Sequence, residues 1–302
     1  MLDFIYYPVS VILWFWHVVF GTLFDPAGGL AWALSVAFLV FTLRAILFPT
    51  AIRQARAQRS VQRLQPQIAA LKRKYAGDRQ GLAVALQALQ RDNGVSPFRG
   101  LLPASLQVPV FLGLLHVLRS FNRTGAPLFM SAADNANTGN YFFSAPDVQS
   151  FLHAKLLGAP LAVTISSTPA QLVAYGDVTR LDVALVAIPL MLIAAVATHF
   201  TTRAAIASQR GLAPSTQQTA VMNWLMLWAF PLGVLVAGAF LPVAILVYWL
   251  SNNAWTLVQQ HVVMRALDRQ DADGAGRRQG PGKPRGRHWP ISGDPPEAPI
   301  GP

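Results

Sequence analysis

Four apolar stretches dominate the chain, and their length limits what it can become. They are Leu30 to Thr50, Leu101 to Phe121, Leu181 to Phe200 and Val221 to Val263. Each is long enough to match the ~20 residues an α-helix needs to cross the hydrocarbon core of a bilayer. No water is there to bond backbone N–H and C=O groups, so a helix is the form such runs can take. The last stretch is too long for one crossing. Gly238 and Pro242 interrupt it, so it reads as two helices joined by a tight turn. The expectation is an all-α polytopic membrane protein with five transmembrane helices, at about 30–50, 100–121, 181–201, 221–238 and 241–264. Composition agrees: 53% of residues are hydrophobic and 12% charged, about half the charged share of a soluble domain. That balance excludes a disordered chain and argues against a water-soluble enzyme. With no cysteine there are no disulfides, thiolate nucleophiles or iron–sulfur clusters.

The stretch from Leu2 to Phe24 is long enough to cross, yet it carries Tyr6, Tyr7, Trp14, Trp16 and His17, residues that favour the headgroup zone. It lacks a basic n-region and a small-residue cleavage site, so it does not read as a signal peptide. Residues 1–27 are set apart as a helix that either lies in the outer interface or makes a sixth span.

Charge fixes the expected orientation. Residues 51–95 hold nine basic side chains against two acids, whereas 119–182 hold four of each. The segment 201–220 has Arg203 and Arg210 and no acid, and the chain from 265 has seven basic residues against five acids. The positive-inside rule then makes 51–95, 201–220 and the tail cytoplasmic, and the 122–180 loop extracytoplasmic.

Within 51–95, Val61, Leu64, Ile68 and Leu71 recur at helical spacing, as do Leu82, Leu86 and Leu89, with Ala76-Gly77-Asp78 between them. This predicts a cytoplasmic hairpin of two amphipathic helices, the first kinked by Pro66. Its basic surface reads either as a solvated loop obeying the orientation rule or as a docking surface for something anionic. From 267 to 302 the chain is rich in Gly, Pro and Arg and predicts a disordered basic tail.

One charge falls inside a span. Arg44 is flanked by Phe41, Leu43, Ile46, Leu47 and Phe48. A charge at that depth costs at least ~2.5–3.5 kcal/mol and marks a functional site unless it snorkels to the headgroups. At 1.5 Å per residue, Arg44 lies ~21 Å below Leu30, while Asn252, Thr256 and Gln259 lie ~16, ~22 and ~27 Å below Leu241. Gln107 is ~10 Å into the second span from the opposite side. Asn252, Thr256 and Gln259 share one helix face, which Asn253 and Gln260 widen. Three helices can thus aim polar groups at one region, as a wet cationic groove open to the cytoplasm. Plain interhelical hydrogen bonding by Asn, Gln and Thr is the competing account. It leaves Arg44 without an anion, because no acid occurs between Asp25 and Asp78 or between Asp182 and Asp268.

There is no G-x-x-x-x-G-K-[ST], H-E-x-x-H or G-x-S-x-G, the six histidines are scattered, and no span holds a lysine. A P-loop ATPase, a metalloenzyme and a Ser–Lys protease are therefore not expected.

Read together, certain residues resemble the YidC/Oxa family of membrane protein insertases. They are Leu43-Arg44-Ala45-Ile46-Leu47-Phe48-Pro49, Leu64-Gln65-Pro66-Gln67-Ile68, Pro97, Leu106-Gln107-Val108-Pro109-Val110-Phe111, Pro231, Leu246-Val247-Tyr248-Trp249-Leu250-Ser251-Asn252-Asn253 and Gln259-Gln260. The match covers roughly 28–266. Ser96 replaces the usual Asn before the proline, and Ala244 the usual Gly. With no large domain ahead of the core, the chain is similar to the short Gram-positive type, and its Ala and Arg usage to actinobacterial members.

The resemblance implies five spans around a hydrophilic groove lined by Arg44, Gln107, Asn252, Asn253, Thr256 and Gln259. The groove receives the polar flank of a nascent membrane protein, while its apolar segment passes into lipid along the second and fourth spans. It implies an insertase and chaperone in the bacterial cell membrane, with no ATP hydrolysis and no enzymatic step. The implied partners are nascent membrane proteins and lipids, with the ribosome and the Sec translocase as further candidates, and no cofactor. The alternative from the residues themselves is an anion carrier or channel built on Arg44; a scaffold for membrane assembly is another.

Overall fold

The computed structural model describes residues 3–94, 102–124, 130–209 and 217–278. The elements in chain order are α1 (Asp3–Gly21), α2 (Gly29–Arg63), α3 (Gln65–Lys74), α4 (Arg79–Asp92), α5 (Leu102–Arg119), α6 (Ala132–Ala136), α7 (Ala145–His153), β1 (Lys155–Leu156), β2 (Ala159–Pro160), α8 (Pro169–Val173), α9 (Arg180–Gln209), α10 (Gln217–Gly238) and α11 (Val243–Arg278). The chain divides into two compact units, residues 1–261 and 262–302, and everything below concerns the first unless stated.

Among the described residues, α1, α2, α9 and α10 are long and apolar enough to cross a bilayer. Three of these are expected spans. The other two, α5 and α11, form helices at the expected positions. In α5 the residues counted are Pro109–Arg119, the side chains of 102–108 lying outside the described residues, and α11 carries Asn252, Asn253, Gln259 and Gln260 within its first five turns, which lowers its hydropathy. As expected, the chain breaks between α10 and α11, at residues 239–242. Proline occurs inside α1, α2, α5, α9 and α10, which helices packed in membranes tolerate better than helices in water.

The basic hairpin forms, but its boundaries differ from the expectation. Helix α2 does not stop near Thr50; it runs on to Arg63. Pro66 then begins a new helix instead of kinking one, since it occupies the first turn of α3, where its missing N–H would have no partner anyway. Leu64 and Ile68 are buried at this joint. The Tyr75–Asp78 turn places Gly77 at φ 99°, a region open to glycine. Asp78 caps α4 by accepting a hydrogen bond from the Gly81 N–H at 2.8 Å. At the other end of the chain, α11 stays helical through Arg278, further than the expected start of the tail at 267; residues 279–302 lie outside the described residues.

The segment between α5 and α9, here the crown, was expected only as a loop. It is a built structure. Buried Asn135 accepts hydrogen bonds from the Arg123 backbone N–H and Nε at 3.2 and 3.0 Å and donates to the Phe121 carbonyl at 3.1 Å. Buried Asn140 donates to the Val117 carbonyl and accepts from Ser120. These side chains do for the crown what a ladder does for a sheet: they pair backbone groups that burial would otherwise orphan.

Three helices start against the crown. The Val243 and Ala244 N–H groups donate to the carbonyls of Val163 and Leu161, both at 3.0 Å, which satisfies free donors at the α11 N-terminus. β2 packs on α9 and β1 on α2. At the last contact Gly29 lies directly under the Lys155 carbonyl, and any Cβ there would overlap it. Gly29→Ala should therefore destabilise the fold by ~1–3 kcal/mol, the range for overpacking, visible as a lower thermal midpoint in detergent. An unchanged midpoint would mean that β1 can lift off α2 freely.

The core beneath the crown is aromatic. Trp32 at the start of α2 is fully buried; its ring stacks on His17 at 3.7 Å and meets Phe121, Phe143 and Phe151 at 5.1–5.7 Å. Helix α1 runs along the crown: Tyr6 and Tyr7 pack on Tyr141, Trp14 on Phe142, and His17 on the Trp32 ring that touches Phe143. Gly113 of α5 leaves room for Ile5, whose Cγ2 would be 2.7 Å from an added Cβ.

Candidate functional site

Arg44 sits on α2, 15 residues after Gly29, ~22 Å along the helix axis. Its guanidinium is partly buried and reaches α11. Nε and Nη2 both donate to Oδ1 of Asn252, at 3.1 and 2.5 Å. A guanidinium has five N–H donors, and a neutral amide oxygen gives it only a partial negative charge. The site thus holds a half-buried cation whose hydrogen-bond partner among the described residues is a dipole.

The surroundings are tight. Val40, Leu43, Leu47, Val110 and buried Tyr248 join Arg44 and Asn252 around a void of about 10 Å³, room for roughly one water. The expected groove would also be lined by Gln107 of α5, whose side chain lies outside the described residues, so this void is only the part of it around Arg44 and Asn252.

The six expected site residues behave differently from one another. Arg44 and Asn252 come together. Thr256 lies on the same face of α11 but its hydroxyl donates to the Asn252 carbonyl at 2.8 Å. Gln259 accepts from Nε1 of Trp255 at 2.8 Å, and Trp255 packs on Phe41 of α2. Asn253 is half-buried and makes no hydrogen bond among the described residues. Gln107 lies on α5, but its side chain is outside the described residues. Tyr248 was missed as a site residue. It stands four residues before Asn252, on the same helical face, so the spacing carried the signal.

Asn252→Ala removes the one acceptor Arg44 has among the described residues. Hydrogen bonds to charged groups contribute ~1.5–3 kcal/mol, so a loss of that order is expected in thermal unfolding. Asn252→Asp should recover it, because a carboxylate accepts the same fork.

Two larger cavities lie elsewhere among the described residues. One of about 520 Å³ is inside the crown, with Asn122, Gln149, His153, Gln171 and Tyr175 in its walls. Burial pushes the Tyr175 phenol up from its ordinary value, against a hydrogen bond from Asn122 that lowers it. The other, about 480 Å³, is an apolar cleft between α10 and Trp249 of α11, lined by Met222, Met226, Phe230 and Gly233 among others. Helix α10 is docked on α9, and only 6% of its apolar stretch is buried, against 39% for α2.

The family model described as 60Kd inner membrane protein matches residues 23–270. A protein of Mycobacterium tuberculosis named membrane protein insertase YidC is 50% identical over 274 residues, covering 89% of this chain and 74% of its own length. The Mycobacterium leprae protein of that name is 50% identical over 89% of this chain and 72% of its own. The Tropheryma whipplei one is 32% identical over 85% and 81%. The matched region contains α2 with Arg44 and the Asn252 face of α11, and the chain belongs to the 60Kd inner membrane protein family, together with these YidC proteins.

Proposed function

We propose that this chain is a membrane protein insertase: it takes nascent membrane proteins from the cytoplasmic side and releases their apolar spans into lipid. The observation that carries this reading is Arg44, a cation inside an apolar helix whose partner among the described residues is a neutral amide. An acidic or polar flank of a client is a better partner than Asn252 for that cation in a low-dielectric setting. Arg44 and Asn252 are the binding pair, with Tyr248 beside them; Gln107, Asn253, Thr256 and Gln259 line the way in from the cytoplasm.

In the resting chain Arg44 and Asn252 hold each other. A client flank then enters by exchanging one Arg44 partner for another, which shortens the dry path its polar groups must travel. The apolar segment needs no such help, since its transfer into lipid is favourable by itself. The step is binding and release, with no bond made or broken and no ATP used. The apolar cleft beside α10 is the exit.

The same reading puts the α3–α4 hairpin and the tail in the cytoplasm and the crown outside, in the bacterial cell membrane. Helix α1 lies in the outer interface. Its support is the run of contacts from Tyr6 to Trp14 along Tyr141 and Phe142, ~12 Å of helix beside the crown; a helix crossing upright would meet the crown at one end. The hairpin's basic face is the docking surface for the ribosome or the Sec translocase.

The test is insertion of a single-span client with an acidic N-terminal flank into proteoliposomes holding only this protein. Protease-protected client above the level of empty liposomes supports the reading. Saturable flux of a small anion without client insertion would replace it with the carrier alternative.

A further inference from the structure

β1 and β2 form an antiparallel hairpin, Lys155 opposite Pro160 and Leu156 opposite Ala159, which turns at Leu157 and Gly158. Gly158 has φ 92° and Leu157 φ 50°. The left-handed region is natural for glycine but disfavoured for leucine, and it is usually filled by Gly, Asn or Asp. The side chain presented by this unfavourable backbone touches little of the protein, for Leu157 is 86% exposed.

A lone exposed leucine needs no explanation; its level in the molecule supplies one. β1 is pressed on the first residue of α2, and β2 packs on α9, which begins at Arg180. The hairpin therefore stands between the N-terminal ends of two long apolar helices. Both ends show apolar side chains to the surroundings, Leu30 on α2 and Leu181 on α9. The chain just ahead of α2 adds exposed Leu23 and Phe24. Lys155 is exposed one strand residue before the turn, near enough to Asp182 of α9 to act on its charge.

We propose that the hairpin tip enters the lipid leaflet at this end of the helices, with Leu157 among the upper acyl carbons and Lys155 at the headgroups. Lipid is the occupant because the apolar surfaces on either side of the hairpin belong to helices that cross the bilayer, so lipid already covers them. A leucine at that level continues the same surface, and a lysine beside it is the arrangement of interfacial anchors. The hairpin then fixes the height of α2 in the membrane from outside the bundle. The inference rests on α2 and α9 being spans, and not on what the protein does with Arg44.

The chain has no cysteine, so Leu157→Cys gives a single thiol for an environment-sensitive fluorophore. Leu30→Cys and Asn137→Cys serve as the lipid-facing and crown controls. Each labelled protein is reconstituted in phosphatidylcholine–phosphatidylglycerol vesicles with and without lipids doxyl-labelled near the top of the acyl chain. The expected result is blue-shifted emission at 157 that loses most of its intensity to the doxyl lipid, as at 30, while 137 is unaffected. Red, unquenched emission at 157 would place the tip in water and overturn the proposal. Blue-shifted but unquenched emission would put protein over the tip instead of lipid and overturn it equally. Failure of quenching at 30 as well would remove the premise that α2 spans.

Discussion

Arg44→Ala is expected to lower client insertion in proteoliposomes by about tenfold or more, ~1.4 kcal/mol for each factor of ten, while Arg44→Lys keeps much of it. The alanine variant loses the only charge inside α2's apolar stretch. The lysine variant keeps a positive charge on a long stem but gives up the planar fork that holds Asn252 through Nε and Nη2. A charge-driven step is thus separated from a geometry-driven one. Loss in both variants would mean that the fork matters more than the charge. Full activity in both would make Arg44 dispensable and turn attention to Asn253 and Thr256. Clients with neutral flanks supply the internal control, because they have less to gain from the cation and should show a smaller effect. Thermal unfolding controls for folding: Arg44→Ala breaks the same hydrogen bonds as Asn252→Ala and should lose a similar ~1.5–3 kcal/mol, so Asn252→Ala is the stability-matched control that keeps the charge.

The second large effect concerns the fold. Trp32→Ala should destabilise by ~3–5 kcal/mol, the cost of emptying a fully buried large side chain. It also removes the hydrogen bond from Nε1 to the Ser150 hydroxyl at 3.0 Å, and through Ser150 a contact to the Pro26 carbonyl at 2.8 Å. The Trp32 ring is where α1, α2, α7 and the turn just after α5 meet, by way of His17, Phe151 and Phe121. Thermal unfolding in detergent measures the loss. Limited proteolysis locates it, since α1 should become cleavable ahead of α9 and α10. Trp32→Phe keeps most of the volume and should cost less than half as much. Equal losses for the two variants would point to the Ser150 hydrogen bond as the larger contribution.

The helices of this chain were legible because their lengths answer to one dimension, the thickness of hydrocarbon. The same dimension turns residue number into depth, which puts Arg44, Asn252, Thr256 and Gln259 in one zone of the bilayer; that Asn252 is the one that bonds Arg44 does not follow from depth, by which Thr256 is the nearer match. Helix ends were less legible. Pro66 reads equally as a kink or a start, and what decides is whether the preceding helix has already closed; here it ends at Arg63. The continuation of α11 through Arg278 was hidden by a composition rich in Gly and Asp. The crown was least legible. Its strands are two residues long, its turn uses a leucine where glycine or asparagine is the usual signal, and Asn135 and Asn140 tie backbone groups far apart in sequence. The void beside Arg44 was illegible for another reason. Polarity says which side chains converge, but the space left over depends on how Leu43, Leu47 and Tyr248 interdigitate.

Helix α10 has a consequence of its own. Its apolar stretch, interrupted by Asn223, is docked mainly on α9, and most of it is exposed. Where it stands, hydrocarbon and a protein span are nearly equivalent neighbours, since lipid tails are as apolar as leucine. Exchanging one for the other alters little buried apolar area, so the trade is close to thermoneutral in both directions. A surface of this kind cannot hold a guest tightly, and it needs no energy source to let one go. Turnover would then be set by how fast neighbours diffuse past α10, and a membrane made more viscous should slow the protein without weakening its grip on the polar flank.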